Sequence, residues 1–151
     1  MSSEAPLPRA GVLRRFGAML YDFLLAAALL MFVTALLLPF TGGEAITAER
    51  HGVLIETAYR LGLLAILVAF FGWFWTRRGQ TVGMLAWRLK LQRIGGGTLT
   101  WPDALKRFAA ALASWLPCAL GYFWIWIDRD RLAWHDRWTN TEVVVLPKRS
   151  R

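Results

Sequence analysis

GAMLYDFLLAAALLMFVTALLLPF, residues 17–40, decides the architecture. The run is 24 residues long and carries one charge, Asp22. A helix needs about 20 predominantly apolar residues to cross the hydrocarbon core of a bilayer, so a membrane span is predicted here. Pro39 and the pair Gly42-Gly43 stop it. A cleaved signal peptide is disfavoured. The run exceeds an apolar h-region of about 7–15 residues, contains an aspartate and lacks a small-residue cleavage site.

Two further runs follow. Residues 57–76, TAYRLGLLAILVAFFGWFWT, carry Arg60 near their start and end in Trp73, Trp75 and then Arg77-Arg78. Apolar, aromatic and basic residues in that order mark a membrane–water boundary. Residues 108–127, FAAALASWLPCALGYFWIWI, are uncharged, flanked by Lys106-Arg107 and Asp128-Arg129, with Pro117 and Gly121 near the middle. Proline removes a backbone donor and kinks a helix. The third run is therefore one kinked span or a re-entrant hairpin at Pro117.

The whole composition agrees. Of 151 residues 56% are hydrophobic and 19% charged, with nine tryptophans and a formal net charge of +8. Such a chain is too apolar for a basic soluble nucleic-acid binder. The single Cys118 excludes intramolecular disulfides and Cys-rich metal clusters, and two histidines make a His-rich site improbable. No cofactor motif is visible: GGGTLT at residues 95–100 lacks the Lys-Ser/Thr of a phosphate loop and reads as a turn.

The expected fold is an all-α membrane protein with three transmembrane helices in a single domain, residues 1–151. Residues 77–107 hold seven basic residues and one acid, Asp103, whereas residues 41–56 hold three glutamates and one arginine. The positive-inside rule then places the N-terminus and residues 77–107 in the cytoplasm. Three full crossings would put the tail, residues 128–151, outside despite its six basic residues; a re-entrant hairpin would return it. Met84, Leu85 and Trp87 suit an interfacial amphipathic segment, with Arg88 and Lys90 at anionic headgroups. Residues 88–94 alternate like a strand, with Thr98–Thr100 as the expected return strand. Residues 141–146 have strand composition as well. Their pairing with 88–94 would require one side of the membrane and favour the re-entrant form.

Ionisable groups inside a span cost at least about 2.5–3.5 kcal/mol. Asp22 therefore needs a partner, with Arg107 or Arg78 as the expected source. A structural salt bridge and an ion- or proton-handling role are both open for it. Arg60 is expected to snorkel outward or to pair with Asp128. His135-Asp136 has the order of a base and its orienter. No matching nucleophile motif exists, so an enzyme is not expected, and Asp136 reads more simply as a hydrogen-bond partner or helix cap. The tryptophans at 124, 126, 134 and 138 read as interface anchors.

An arginine before the first span, an aspartate within it and a late His-Asp pair resemble the RDD family of small membrane proteins. The matching residues are Arg15 in LRRFGAMLYDFLL, Asp22 in the same stretch, and Asp136 in LAWHDRWTNTEVVV, with Asp128 as a second candidate. GQTVGMLAWRLKLQRI is similar to the family's Gly-Gln-Thr segment after the second span. Met84 replaces an expected lysine, and Thr-Asn-Thr replaces small-Gly-Thr. The resemblance implies an integral membrane protein, mostly of bacterial inner membranes, with Arg15, Asp22 and Asp136 as functional residues; His135, Arg107, Arg60 and Asp128 are the secondary candidates. It also implies transport of an unassigned ligand, some members being similar to sodium–proton antiporters. Transport by a homo-oligomer lined by Asp22 is thus the first expectation. A scaffold or accessory subunit binding a partner membrane protein or anionic lipid is the second.

Overall fold

The computed structural model describes residues 7–116 and 120–147. It is mainly helical. Helix α1 runs Val12–Leu37 and ends in a 3-10 turn, Leu38–Thr41. A short α2 (Ala48–His51) leads into α3 (Val53–Arg77). Then come α4 (Val82–Ala86), β1 (Leu89–Arg93), α5 (Trp101–Trp115), α6 (Leu120–Phe123), a 3-10 turn Trp124–Trp126, α7 (Trp134–Thr139) and β2 (Thr141–Val145).

Two helical stretches, Val12–Thr41 and Val53–Arg77, are long and apolar enough to cross a membrane. Only 6% and 0% of their most apolar stretches are buried within the protein. Core helices of a soluble protein would hide such residues; apolar surface left bare on this scale is what lipid covers. These are the first two expected spans, extended by a few residues at either end.

The third apolar run is organised differently. Helix α5 starts at Trp101, so it takes in Lys106 and Arg107, expected as flanks. Its 15 residues reach about 22 Å, short of a ~30 Å core. Of the rest of the run, Leu120–Phe123 form α6 and Trp124–Trp126 the following 3-10 turn. Pro117, the expected kink, lies outside the described residues. Helix α5 is amphipathic: Ala104, Arg107 and Ser114 are buried while Leu105 and Leu112 are exposed.

Two compact units emerge. One comprises the chain to Asp22 and from Phe71 onward. Its sheet pairs β1 with β2 antiparallel, Leu91 opposite Val143. The free edge of β2 takes residues 8–10: Val145 N–H donates to the Pro8 carbonyl and Ala10 N–H to the Val143 carbonyl, both at 2.8 Å. Strand β2 is therefore central, and Val143 and Val144 are buried. Leu89, Leu91, Ala18, Trp75, Leu99 and Ala104 complete the core beneath it. The return strand expected at Thr98–Thr100 is absent. Gly95, Gly96 and Gly97 all take positive φ, which turns the chain toward α5 instead. Thr100 then precedes the first turn of α5, where Asp103 accepts its backbone N–H and hydroxyl at 2.8 and 2.7 Å.

The second unit is Phe23–Phe70. Within it the Thr34 hydroxyl, bonded to the Leu30 carbonyl, meets the Tyr59 hydroxyl at 2.7 Å. This pair ties α1 to α3. Arg60 pairs with Glu56 one turn earlier on its own helix and is 74% exposed.

Candidate functional site: a buried arginine–aspartate knot

Asp136 is fully buried at the third position of α7, where its Oδ2 accepts the Ala133 N–H at 3.2 Å. That contact caps the helix locally. The other contacts are long-range. Arg15, from the first turn of α1, donates through Nη1 to Asp136 Oδ2 at 2.5 Å and through Nε to the Ala10 carbonyl at 3.1 Å. Arg107, from α5, holds Nη1 2.8 Å from Asp136 Oδ1. One carboxylate thus joins three elements separated by up to 121 positions in the sequence.

Arg107 is oriented twice more. Nη1 donates to the Thr141 hydroxyl at 2.5 Å, and its guanidinium stands 5.7 Å from the Trp75 ring centre. The Thr139 hydroxyl bonds the His135 carbonyl at 2.6 Å and the Thr141 hydroxyl at 2.8 Å. A chain of polar contacts therefore runs from Arg107 through β2 back to α7.

Burial by itself would raise the Asp136 pKa, but Arg15 and Arg107 outweigh it and hold the carboxyl below the usual carboxylate range. His135 follows the opposite path. Burial pushes its imidazole down, and Arg107 and Arg15 add to that against the pull of Asp136, to about 3. Its Nε2 lies 3.5 Å from Asp136 Oδ1 and its ring 4.5 Å from that of Tyr122. With histidine neutral, two buried guanidinium groups face one carboxylate, leaving one positive charge in excess. Arg15 Nη2 and His135 Nδ1 are buried without a hydrogen-bond partner among the described residues.

Asp22 lies two helical turns beyond Arg15 on α1, about 10 Å along the axis. Neither Arg107 nor Arg78 supplies its partner, contrary to expectation. Its carboxylate instead accepts the Thr81 hydroxyl at 2.5 Å and the Gly83 N–H at 2.8 Å. Two neutral donors hold it because they come from the start of α4, where amides are unused by the helix. The Thr81 hydroxyl also accepts the Met84 N–H, which orients its proton toward Asp22. Gly83 is required here: a Cβ would stand 2.1 Å from the Ala18 carbonyl oxygen. Gln80 donates to the Leu89 carbonyl, and the Gly79 carbonyl accepts from Leu91, both at 2.6 Å. The Gly-Gln-Thr segment thereby fastens α1 on one side and β1 on the other.

Asp128 stands apart from the knot. It pairs with Arg137 and caps Leu132 N–H at 2.9 Å. Arg9 bridges Glu142 at 2.8 Å and the Asp130 carbonyl at 2.7 Å.

Of the expected residues, Arg15, Arg107, His135 and Asp136 converge, while Asp22 anchors a separate point and Arg60 and Asp128 lie elsewhere. Thr81, Gly83, Thr141 and Trp75 were not singled out for these roles. Only Thr81 and Gly83 carried a signal, through the Gly-Gln-Thr segment. Among the described residues no three His, Cys, Asp or Glu side chains converge as metal ligands. Both carboxylates thus tie together elements far apart in the sequence, Asp136 through two guanidinium groups and Asp22 through a hydroxyl and an amide.

A family model described as the RDD family matches residues 9–140, a span that includes Arg15, Asp22, Thr81, Arg107 and Asp136. No curated protein and no solved structure matches the chain.

Proposed function

The chain belongs to the RDD family, and from that premise we propose that it is a non-enzymatic membrane scaffold or accessory subunit. One observation carries the reading: the family's arginine and aspartates satisfy one another or neutral donors inside the fold. A carrier needs a carboxylate that exchanges partners; here Asp22 accepts from two fixed neutral donors and Asp136 is buried between two guanidinium groups. What the chain offers outward is a preformed basic surface, Arg88 and Lys90 included, beside exposed tryptophans. That combination suits a partner membrane protein or anionic headgroups.

The proposed topology has the N-terminus, residues 77–107 and the tail all in the cytoplasm of a bacterial inner membrane. The β1–β2 pairing supports it, since paired strands share one side. So does the bond network joining α7 to α1 and α5. The 108–127 run is then re-entrant or interfacial and not a third crossing. A reporter fused after Arg151 is expected to be cytoplasmic.

Asp22, a carboxylate on an apolar helix, favours the rival reading, cation or proton transport by a homo-oligomer. The test uses the full chain in vesicles containing a pH dye, together with mild-detergent extraction of cross-linked membranes. The scaffold reading expects no cation-driven proton exchange above protein-free vesicles, and a complex of defined mass above that of the monomer. Exchange abolished by Asp22→Asn would establish transport and end the scaffold reading. A lone monomer without lipid preference would end it too.

A further inference from the structure

A cavity of about 380 Å³ lies between the start of α1 and the segment after the 3-10 turn Trp124–Trp126. Leu13, Ile125 and Trp126 form its apolar side; Asp128, Arg129 and Arg131 form its polar side. None of these belongs to the buried knot. The volume suits a small polar headgroup with its first carbons.

The charges lining it are unequal in what they have left to bind. In the sequence Asp128-Arg129-Asp130-Arg131, both acids are taken. Asp128 holds Arg137 and the Leu132 N–H. Asp130 lies 3.2 Å from Arg137 and 3.8 Å from Arg9. Arg129 and Arg131 have no acidic partner among the described residues, and both are exposed. The cavity therefore presents two free guanidinium groups against one neutralised carboxylate, a surface complementary to an anion.

Its rim identifies the kind of anion. Leu13 and Trp126 are 81% and 68% exposed, and Ile127 next to Trp126 is 73% exposed. A soluble anion has no use for two bare apolar side chains lining its site. An amphiphile uses both parts. Arginine forms paired hydrogen bonds to phosphate oxygens, and tryptophan favours the headgroup level of a bilayer. We propose that this cavity binds the phosphate of an anionic phospholipid, with Arg129 and Arg131 as the phosphate contacts and Leu13 and Trp126 against the glycerol and upper acyl carbons.

The site requires membrane embedding and is distinct from the basic segment, Arg88 and Lys90 included, that the scaffold reading invokes. Its test uses the purified full chain in neutral detergent with equal phosphatidylglycerol and phosphatidylcholine, followed by native mass spectrometry. Wild type is expected to retain phosphatidylglycerol preferentially. Arg129→Gln with Arg131→Gln is expected to lower that retention about 30-fold, at about five-fold for each arginine near a phosphate, and to leave phosphatidylcholine retention unchanged. Arg129→Lys with Arg131→Lys keeps the charge and should stay within about three-fold of wild type. Arg88→Gln with Lys90→Gln, in the basic segment invoked for the scaffold, should retain the lipid. Equal retention of both lipids by wild type overturns the proposal, as does undiminished retention by the Gln pair. Displacement of the lipid by millimolar inorganic phosphate would assign the cavity to a soluble anion and overturn it as well.

Discussion

Asp136→Asn is the sharpest perturbation of this fold. The substitution keeps shape and size and removes one negative charge. Asp136 is wholly buried, and its two cationic partners, Arg15 and Arg107, are 6% and 4% exposed. Neither arginine can turn to water without leaving the core. Deleting one partner of a buried ion pair costs roughly 3–5 kcal/mol, because the charge left behind stays desolvated and unpaired. Here two guanidinium groups, 2.5 and 2.8 Å from the carboxylate oxygens, lose their anion: one would face the amide oxygen of Asn and the other its NH2. Against a typical total of about 5–15 kcal/mol, the unit should be close to failure. At about 2–4 °C per kcal/mol for a chain near this size, the melting midpoint falls by about 6–20 °C. Fluorescence-detected size exclusion of heated, detergent-solubilised protein reads that shift. Glu44→Gln is the control: it removes an ion pair with Arg50 whose side chains are 49% and 56% exposed, and should move the midpoint by under about 2 °C. A cycle with Arg107→Gln should be sub-additive by about 0.5–3 kcal/mol, since the two residues share one contact. An Asp136→Asn protein melting within 1–2 °C of wild type, roughly the control's range, would refute the claim that this carboxylate holds the unit together.

Other expectations are simpler. Gly83→Ala should destabilise by about 1–3 kcal/mol or more through collision with the Ala18 carbonyl, whereas Gly62→Ala, with open space around it on α3, should be neutral or stabilising in the same melting assay. Thr81→Val removes the hydroxyl donor to Asp22 and the cap of α4, for a loss of about 1–3 kcal/mol. His135 has its folded pKa depressed from 6.5 to about 3. The unfolded chain therefore binds more protons between those values. Stability from this group is complete above about pH 6.5 and declines as pH falls toward 3. Melting midpoints of His135→Phe should show a shallower decline over that window, and an unchanged slope would assign the acid sensitivity to other groups.

The first two spans were legible because long apolar runs between charged flanks have one stable solution in a bilayer. The strand character of both segments was legible too, from polar–apolar alternation in 89–93 and β-branched composition in 141–145, but their pairing was only conditional, because Thr98–Thr100 stood as the nearer partner. Helix α5 was not legible. Lys106-Arg107 looks like the solvated end of a span, and only the position of Asp136 reveals that Arg107 points inward. Periodicity reports which residues share a face; it carries no information about a partner 29 positions away. Asp22 misled in another way. A carboxylate in an apolar helix suggests a cationic partner, yet a threonine hydroxyl and one backbone amide suffice when a helix start supplies them. The pairing of Arg15 with Asp136 depended on the tail's side of the membrane, which charge counting left open.

The central place of β2 has a consequence for how the molecule is made. The strand that sits between residues 8–10 and β1 leaves the ribosome well after both of its neighbours. At about 5–20 residues per second, the 121 positions separating Arg15 from Asp136 take about 6–24 s to synthesise. Both long helices are complete and available for insertion about half-way through that interval, while Arg15 and the edge of residues 8–10 still lack their partners. Membrane integration and completion of the folded unit are thus separated in time. A chain interrupted before residue 141 would be inserted yet unfinished, presenting an open edge and an unmatched arginine to whatever quality control surveys that surface.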